Sequence, residues 1–130
     1  MTKDQNEYLK NWLILANEDI AVIDNLFKSD LELYARAICF HAQQAAEKFL
    51  KAFLIYKNVD FPKTHDLEFL LSECKKLDKS GFDFDFGSLT DFGVSVRYPD
   101  DFIIPEKEDT AHFRQIAKEV KKVVEARIKI

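Results

Sequence analysis

Between Leu31 and Tyr56 the chain runs without a glycine or a proline, and its side chains keep one helical rhythm. The centre of this run, Tyr34 to Leu54, reads YARAICFHAQQAAEKFLKAFL. At about 100° per residue, Ile38, Cys39, Ala42, Ala46, Phe49, Leu50 and Phe53 fall on one broad apolar face. Arg36, Gln43, Gln44, Glu47 and Lys51 fall on the opposite side. A narrower stripe of Ala37, His41, Ala45, Lys48 and Ala52 runs between them. Three of its five members are alanine. Small side chains admit a close backbone, so this edge suits a second subunit or a neighbouring helix, although alanine is also the best helix former.

A helix of that length needs partners, and the flanking sequence supplies them. From about Asp4 to Lys28, Leu9, Leu13, Ala16, Ile20, Ile23 and Phe27 alternate steps of four and three, a seam for shallow helix crossing. Ser29 and Asp30 offer capping oxygens to the second helix, predicted over Leu31–Tyr56. Asn58–Lys63 breaks the pattern, since Pro62 cannot continue a helix. Thr64 is the expected N-cap of a third helix with Leu67, Leu70, Leu71 and Cys74 inward, and Gly81 closes that unit. The last helix is predicted over Lys107–Lys129, with Phe113, Ile116, Val120, Val123 and Val124 at helical spacing and lysines toward its C-terminal end.

Gly81–Pro105 differs from the rest. It holds all three glycines, two of three prolines and five phenylalanines. The alternation of Phe82, Phe84 and Phe86 with aspartates has strand character. No partner strand is evident and isolated strands are marginal, so an aromatic-pinned loop with a short helix from Ser88 is expected. The fold class is therefore all-α: one domain over residues 1–130, an up-and-down bundle of four to five helices with one irregular Phe/Gly-rich loop.

Composition narrows function by exclusion. A formal charge of −4 gives no global field for gripping long nucleic acid, so any nucleotide contact must be local. Cys39 and Cys74 form no CxxC pair and read as packing thiols. The polar N-terminus and the lack of any apolar run near 20 residues predict neither leader nor membrane span, and a reducing, cytoplasmic setting. No cofactor fingerprint is present: no GxGxxG, P-loop, GxSxG or HExxH. The nucleotidyltransferase pattern GS…DxD is missing too. Asp100 and Asp101 are adjacent but lack a further ligand, so no metal site is assigned.

Three groups of residues have chemical potential. Arg36 offers a permanent planar charge for phosphate, and His41 can exchange a proton near neutral pH. Together they could cleave RNA without metal, with His41 as acid or base and Arg36 on the phosphate. Five residues of ideal helix set them about 140° apart, so one helix alone would not aim both at one phosphate. His65 follows Thr64 at the start of the third helix, where a local capping or packing role is also natural. Arg97 and Tyr98, stiffened by Pro99, could hold a phosphate and stack a base. His112 reads as surface or packing.

The run HAQQAAEKFLKAFLI, followed by THDLEFLL and later by RYPDD, resembles the HEPN domains of prokaryotes. The resemblance extends from about Ala16 through the last helix. It implies a helical bundle that typically dimerises, often a small protein paired with a separate minimal nucleotidyltransferase. Many such proteins are toxins of toxin–antitoxin or defence systems, and the active ones are metal-independent endoribonucleases. Their signature is an arginine and a histidine four to six residues apart, usually with a polar residue after the arginine. Arg36 and His41 meet the spacing, but Ala37 replaces the polar residue, and the pair precedes the AQQAxEK core.

Three readings follow. The first is a nucleotide-binding, homodimeric HEPN protein acting with a nucleotidyltransferase partner, its pocket drawn from Arg36, Gln44, Lys48, His65, Arg97 and Tyr98. The second is an RNA-cleaving toxin using Arg36 and His41. The third is a structural interaction bundle without a ligand.

Overall fold

The computed structural model describes residues 1–93 and 104–130. Among them the chain forms four α-helices and one short 3₁₀ turn, with no strand. Helix α1 (Lys3–Asp30) opens on a reciprocal cap: Gln5 N–H donates to Thr2 Oγ1 at 3.1 Å and Thr2 N–H to Gln5 Oε1 at 2.8 Å. Leu9, Ala16, Ile20 and Ile23 of the expected seam are buried, and Leu13 and Phe27 pack against the same core.

Helix α2 (Ala35–Tyr56) starts four residues later than the sequence predicts. Residues 31–34 form a turn in which Asp30 Oδ1 accepts the Leu33 N–H at 3.0 Å. The Asp30 side chain thus secures the bend and leaves the helix start without a side-chain cap. α2 ends at Tyr56 and is closed by Asn58, well before Pro62. Asn58 adopts φ 58°, the left-handed conformation that asparagine tolerates better than most residues. Its N–H returns to Ile55 C=O at 2.9 Å and the Val59 N–H to Leu54 C=O at 2.9 Å, which completes a Schellman closure.

Helix α3 (Leu67–Leu77) is capped by Asp66, whose Oδ1 accepts the N–H groups of Glu68 and Phe69 at 3.0 and 3.2 Å. Thr64 stands two residues before the cap and accepts the Asp66 N–H at 3.0 Å. The expected order is therefore corrected: Thr64 orients the residue that does the capping. The chain then passes through residues 78–88 without regular structure, burying Phe82 and Phe86, to the 3₁₀ turn Leu89–Gly93. Phe82 stacks at a tilt on Phe53 of α2, with centroids 4.7 Å apart. Helix α4 (Lys107–Arg127) returns along α2, and its Phe113 meets Phe92 at 6.0 Å.

α2 is the axis of the molecule, since α1, α3, α4 and the 3₁₀ turn all pack on it. Fourteen of its 22 residues are buried. This corrects the simple two-sided picture of the helix. Gln43, Glu47 and Lys51, on its polar side, are buried rather than solvated. Ala45 and Ala52 are fully buried inside the single chain, so these two alanines of the stripe serve close packing between helices, whereas Ala37, His41 and Lys48 stay half-buried. Each large apolar side chain enclosed here contributes about 1.5–3 kcal/mol, and the buried polar groups must be paired to avoid cancelling that gain.

Candidate functional site

The strip of α2 left open to solvent carries Ala37, Phe40, His41, Gln44 and Lys48, all half-buried. α1 borders it on one side, and His65 with the 3₁₀ turn borders it on the other. Two enclosed carboxylates organise the polar groups, one on each border. Asp19 of α1 accepts from His41 Nδ1 through Oδ1 at 2.8 Å and from Lys48 Nζ through Oδ2 at 2.7 Å. Glu47 of α2 accepts from His65 Nδ1 through Oε1 at 2.7 Å and from Lys51 Nζ through Oε2 at 3.0 Å. Each carboxylate thus holds one histidine and one lysine.

The two arrangements differ in their surroundings. Glu47 and Lys51 expose only 6% and 8% of their side chains, so their attraction is weakly screened. Gln43 joins them, with Nε2 within reach of Glu47 Oε1 and of the His65 carbonyl, both at 3.1 Å. Its Oε1 accepts from Gln44 Nε2 at 2.7 Å. Gly93 lies against the Gln43 amide so closely that an added Cβ would stand 2.7 Å from Gln43 Cδ. A bare backbone is required there by contact, not by φ. In both histidines Nδ1 is occupied by a carboxylate, so Nε2 is the nitrogen left for exchange with a ligand. His65 is half exposed and His41 rather less.

The residues singled out from sequence divide along these borders. His41 and Lys48 meet at Asp19, and Gln44 and His65 meet through Gln43. Arg36 is half-buried and lies seven residues before Gln43, hence within about 20° of it around the helix. It belongs to the Glu47 flank, whereas His41 belongs to the Asp19 flank. Helical rotation thus sets Arg36 and His41 on different sides of α2. Arg97 and Tyr98, and likewise Asp100 and Asp101, lie outside the described residues. His112 is exposed.

Sequence reasoning missed the two carboxylates. Glu47 gave a signal, an acidic residue with Gln43 and Lys51 one turn away on either side in a helix otherwise rich in core residues. Asp19 gave none, because its partners are 22 and 29 positions distant. It also missed a groove of about 730 Å³ at the far end of the α2 strip, walled by Tyr8, Trp12, Tyr56 and Phe61, with Lys51 at its inner side. Neither cysteine belongs to the site. Burial pushes Cys39 up to about 11 and Cys74 up to about 12, so both remain protonated thiols at neutral pH. Among the described residues no group of three His, Cys, Asp or Glu side chains could hold a metal ion. No helix among them is long and apolar enough to cross a membrane.

Three helices and a 3₁₀ turn around a central helix that carries an ordered polar strip define an all-helical domain with a cationic and amide-lined face. The chain belongs to the HEPN domain family, whose model matches residues 9–127. No curated protein and no solved structure matches it.

Proposed function

We propose that this HEPN protein binds a nucleotide along the open strip of α2 and acts, as a homodimer, with a minimal nucleotidyltransferase partner in a toxin–antitoxin or defence setting. One observation carries the binding part of the reading. His41, Gln44, Lys48 and His65 are held in fixed positions beside one solvent-facing strip by hydrogen bonds to buried or half-buried groups. A small anionic ligand needs only a few convergent donors of this kind, and their preorganisation lowers the ordering cost of binding. The acidic chain as a whole does not attract long RNA, which favours a nucleotide or a nucleotide end presented by a partner. Calorimetric titration with nucleoside triphosphates tests this. Saturable heat that weakens at least tenfold in Lys48→Gln is expected, and no heat with any nucleotide refutes it.

A second reading is favoured by the Asp19–His41 contact. A carboxylate on Nδ1 fixes the tautomer and orients the ring, as a general acid or base requires. In that reading His41 moves the proton of an RNA 2′-hydroxyl. Arg36 then stabilises a phosphate bound to a second copy of the chain, since the two residues lie on different flanks of one α2. RNA incubated with purified protein and chelator decides it: cleavage abolished by His41→Ala supports the reading, and uncleaved RNA removes it.

A further inference from the structure

The groove beyond Lys48 is built for a flat, apolar group with one hydrogen-bond acceptor. Its walls are aromatic: Tyr8 and Trp12 meet edge to face at 6.2 Å, and Trp12 meets Phe61 the same way at 6.5 Å. Lys51 is 7% exposed and lines the groove. Its ammonium stands 5.8 Å from the Trp12 centroid and 5.7 Å from that of Phe61. Of its three N–H groups, one is engaged by Glu47 Oε2; the ammonium forms no other hydrogen bond among the described residues. A buried ammonium with donors to spare, set at the base of an aromatic cleft, calls for an acceptor oxygen from a bound molecule.

The position of the groove adds to this. Along α1, Trp12 precedes Asp19 by seven residues, two helical turns. Along α2, Lys51 follows Lys48 by three, an axial rise of about 4.5 Å. The aromatic cleft and the Asp19–His41–Lys48 cluster are therefore consecutive stations on the same α1–α2 seam.

We propose that this groove is the base pocket of the nucleotide site, selective for bases with an oxo group where adenine and cytosine carry an amino group, guanine O6 or uracil O4. Trp12, Phe61 and Tyr8 supply stacking and edge contacts. Lys51, which can only donate, meets the oxo group. Adenine presents an amino donor at the corresponding place and is disfavoured. The phosphates then extend toward Lys48 and His41. This rests on the nucleotide-binding reading and adds to it where the base lies and which bases are accepted.

Trp12 is the only tryptophan of the chain, so its emission reports on the groove directly. GTP, UTP, ATP, CTP, guanosine and inorganic triphosphate are titrated separately, with fluorescence and calorimetry read in parallel. Saturable quenching is expected with GTP, UTP and guanosine, with GTP binding at least tenfold more tightly than ATP. Tyr8→Ala, at a position 54% exposed and tolerant of change, raises the Kd for GTP about tenfold. Nucleotides that bind calorimetrically with unchanged Trp12 emission and no effect of Tyr8→Ala overturn the groove and leave the nucleotide reading intact. Guanosine that quenches as tightly as GTP, unaffected by Lys48→Gln, keeps the groove and removes the phosphate seam. Equal affinities for GTP and ATP overturn the selectivity assigned to Lys51, and binding of none of the six overturns both proposals.

Discussion

Replacing Glu47 with alanine tests whether the buried half of the polar network holds the fold together. The substitution strands the Lys51 ammonium, whose side chain is only 8% exposed, without its carboxylate. Removing one partner of a buried ion pair costs about 3–5 kcal/mol. The Gln43 hydrogen bond to Glu47 Oε1, at 3.1 Å and buried, adds about 1 kcal/mol. The His65 contact is half exposed and adds little after screening. The total is about 4–6 kcal/mol, a third or more of the stability of an ordinary domain. Equilibrium urea unfolding followed by circular dichroism measures it directly, and at about 4 °C per kcal/mol the melting temperature should fall by about 16–24 °C. The double variant Glu47→Leu, Lys51→Met removes both charges and fills their space, so it should return to within about 2 kcal/mol of the parent. A Glu47→Ala loss below about 1.5 kcal/mol, or a double variant as unstable as the single one, would refute the reasoning.

Three further outcomes follow from the same coordinates. Native protein at pH 8 should react with a disulfide reagent at neither Cys39 nor Cys74 within minutes, because burial raises both thiols, and unfolding in urea should release two reactive thiols at once. Gly81→Ala should cost about 1–3 kcal/mol in urea unfolding: φ is +89°, and the new Cβ would fall 2.4 Å from the Arg127 guanidinium that binds Asp78 and Ser80. Asp24 gives a pH signature. Burial raises its carboxyl, but hydrogen bonds and charge from Lys118 and Arg114 outweigh this and hold it below the usual carboxylate range. A folded pKa below the unfolded one stabilises above the unfolded value and fades as pH falls through the folded one. Asp24→Asn should therefore lower the urea midpoint at pH 6 and converge with the parent toward pH 2; a constant gap across that range would contradict the assignment.

The helices were legible because each repeats its apolar residues at one period and each break carries a recognisable residue. α1 and α4 came within two residues of their observed ends. The break after α2 was placed at Asn58–Lys63 and the end at Tyr56 is the one observed, but its cause is the left-handed Asn58 and not Pro62 further on. The polar side of α2 was the main misjudgement. A helical wheel sees one helix, and Gln43, Glu47 and Lys51 become interior only when His65, Trp12 and Gly93 arrive from three other parts of the chain. The reach of the candidate site was half visible for the same reason. Gln44, Lys48, His41 and His65 were recognisable as polar groups near one another, but Asp19 and Glu47, which fix them, act through contacts that local spacing does not encode. The separation of Arg36 from His41 around α2 was already implied by five residues of helical rotation.

The central placement of α2 has a consequence for synthesis. Its flank with Cys39 and Ala42 stays open until Thr110, Phe113, Val120 and Val124 arrive in the last fifth of the chain. A nascent chain ending near residue 105 holds every other helix yet leaves this greasy surface bare. The core around α2 therefore closes only once α4 has emerged, and a truncation within α4 yields a client for chaperones and proteases, not a smaller working domain.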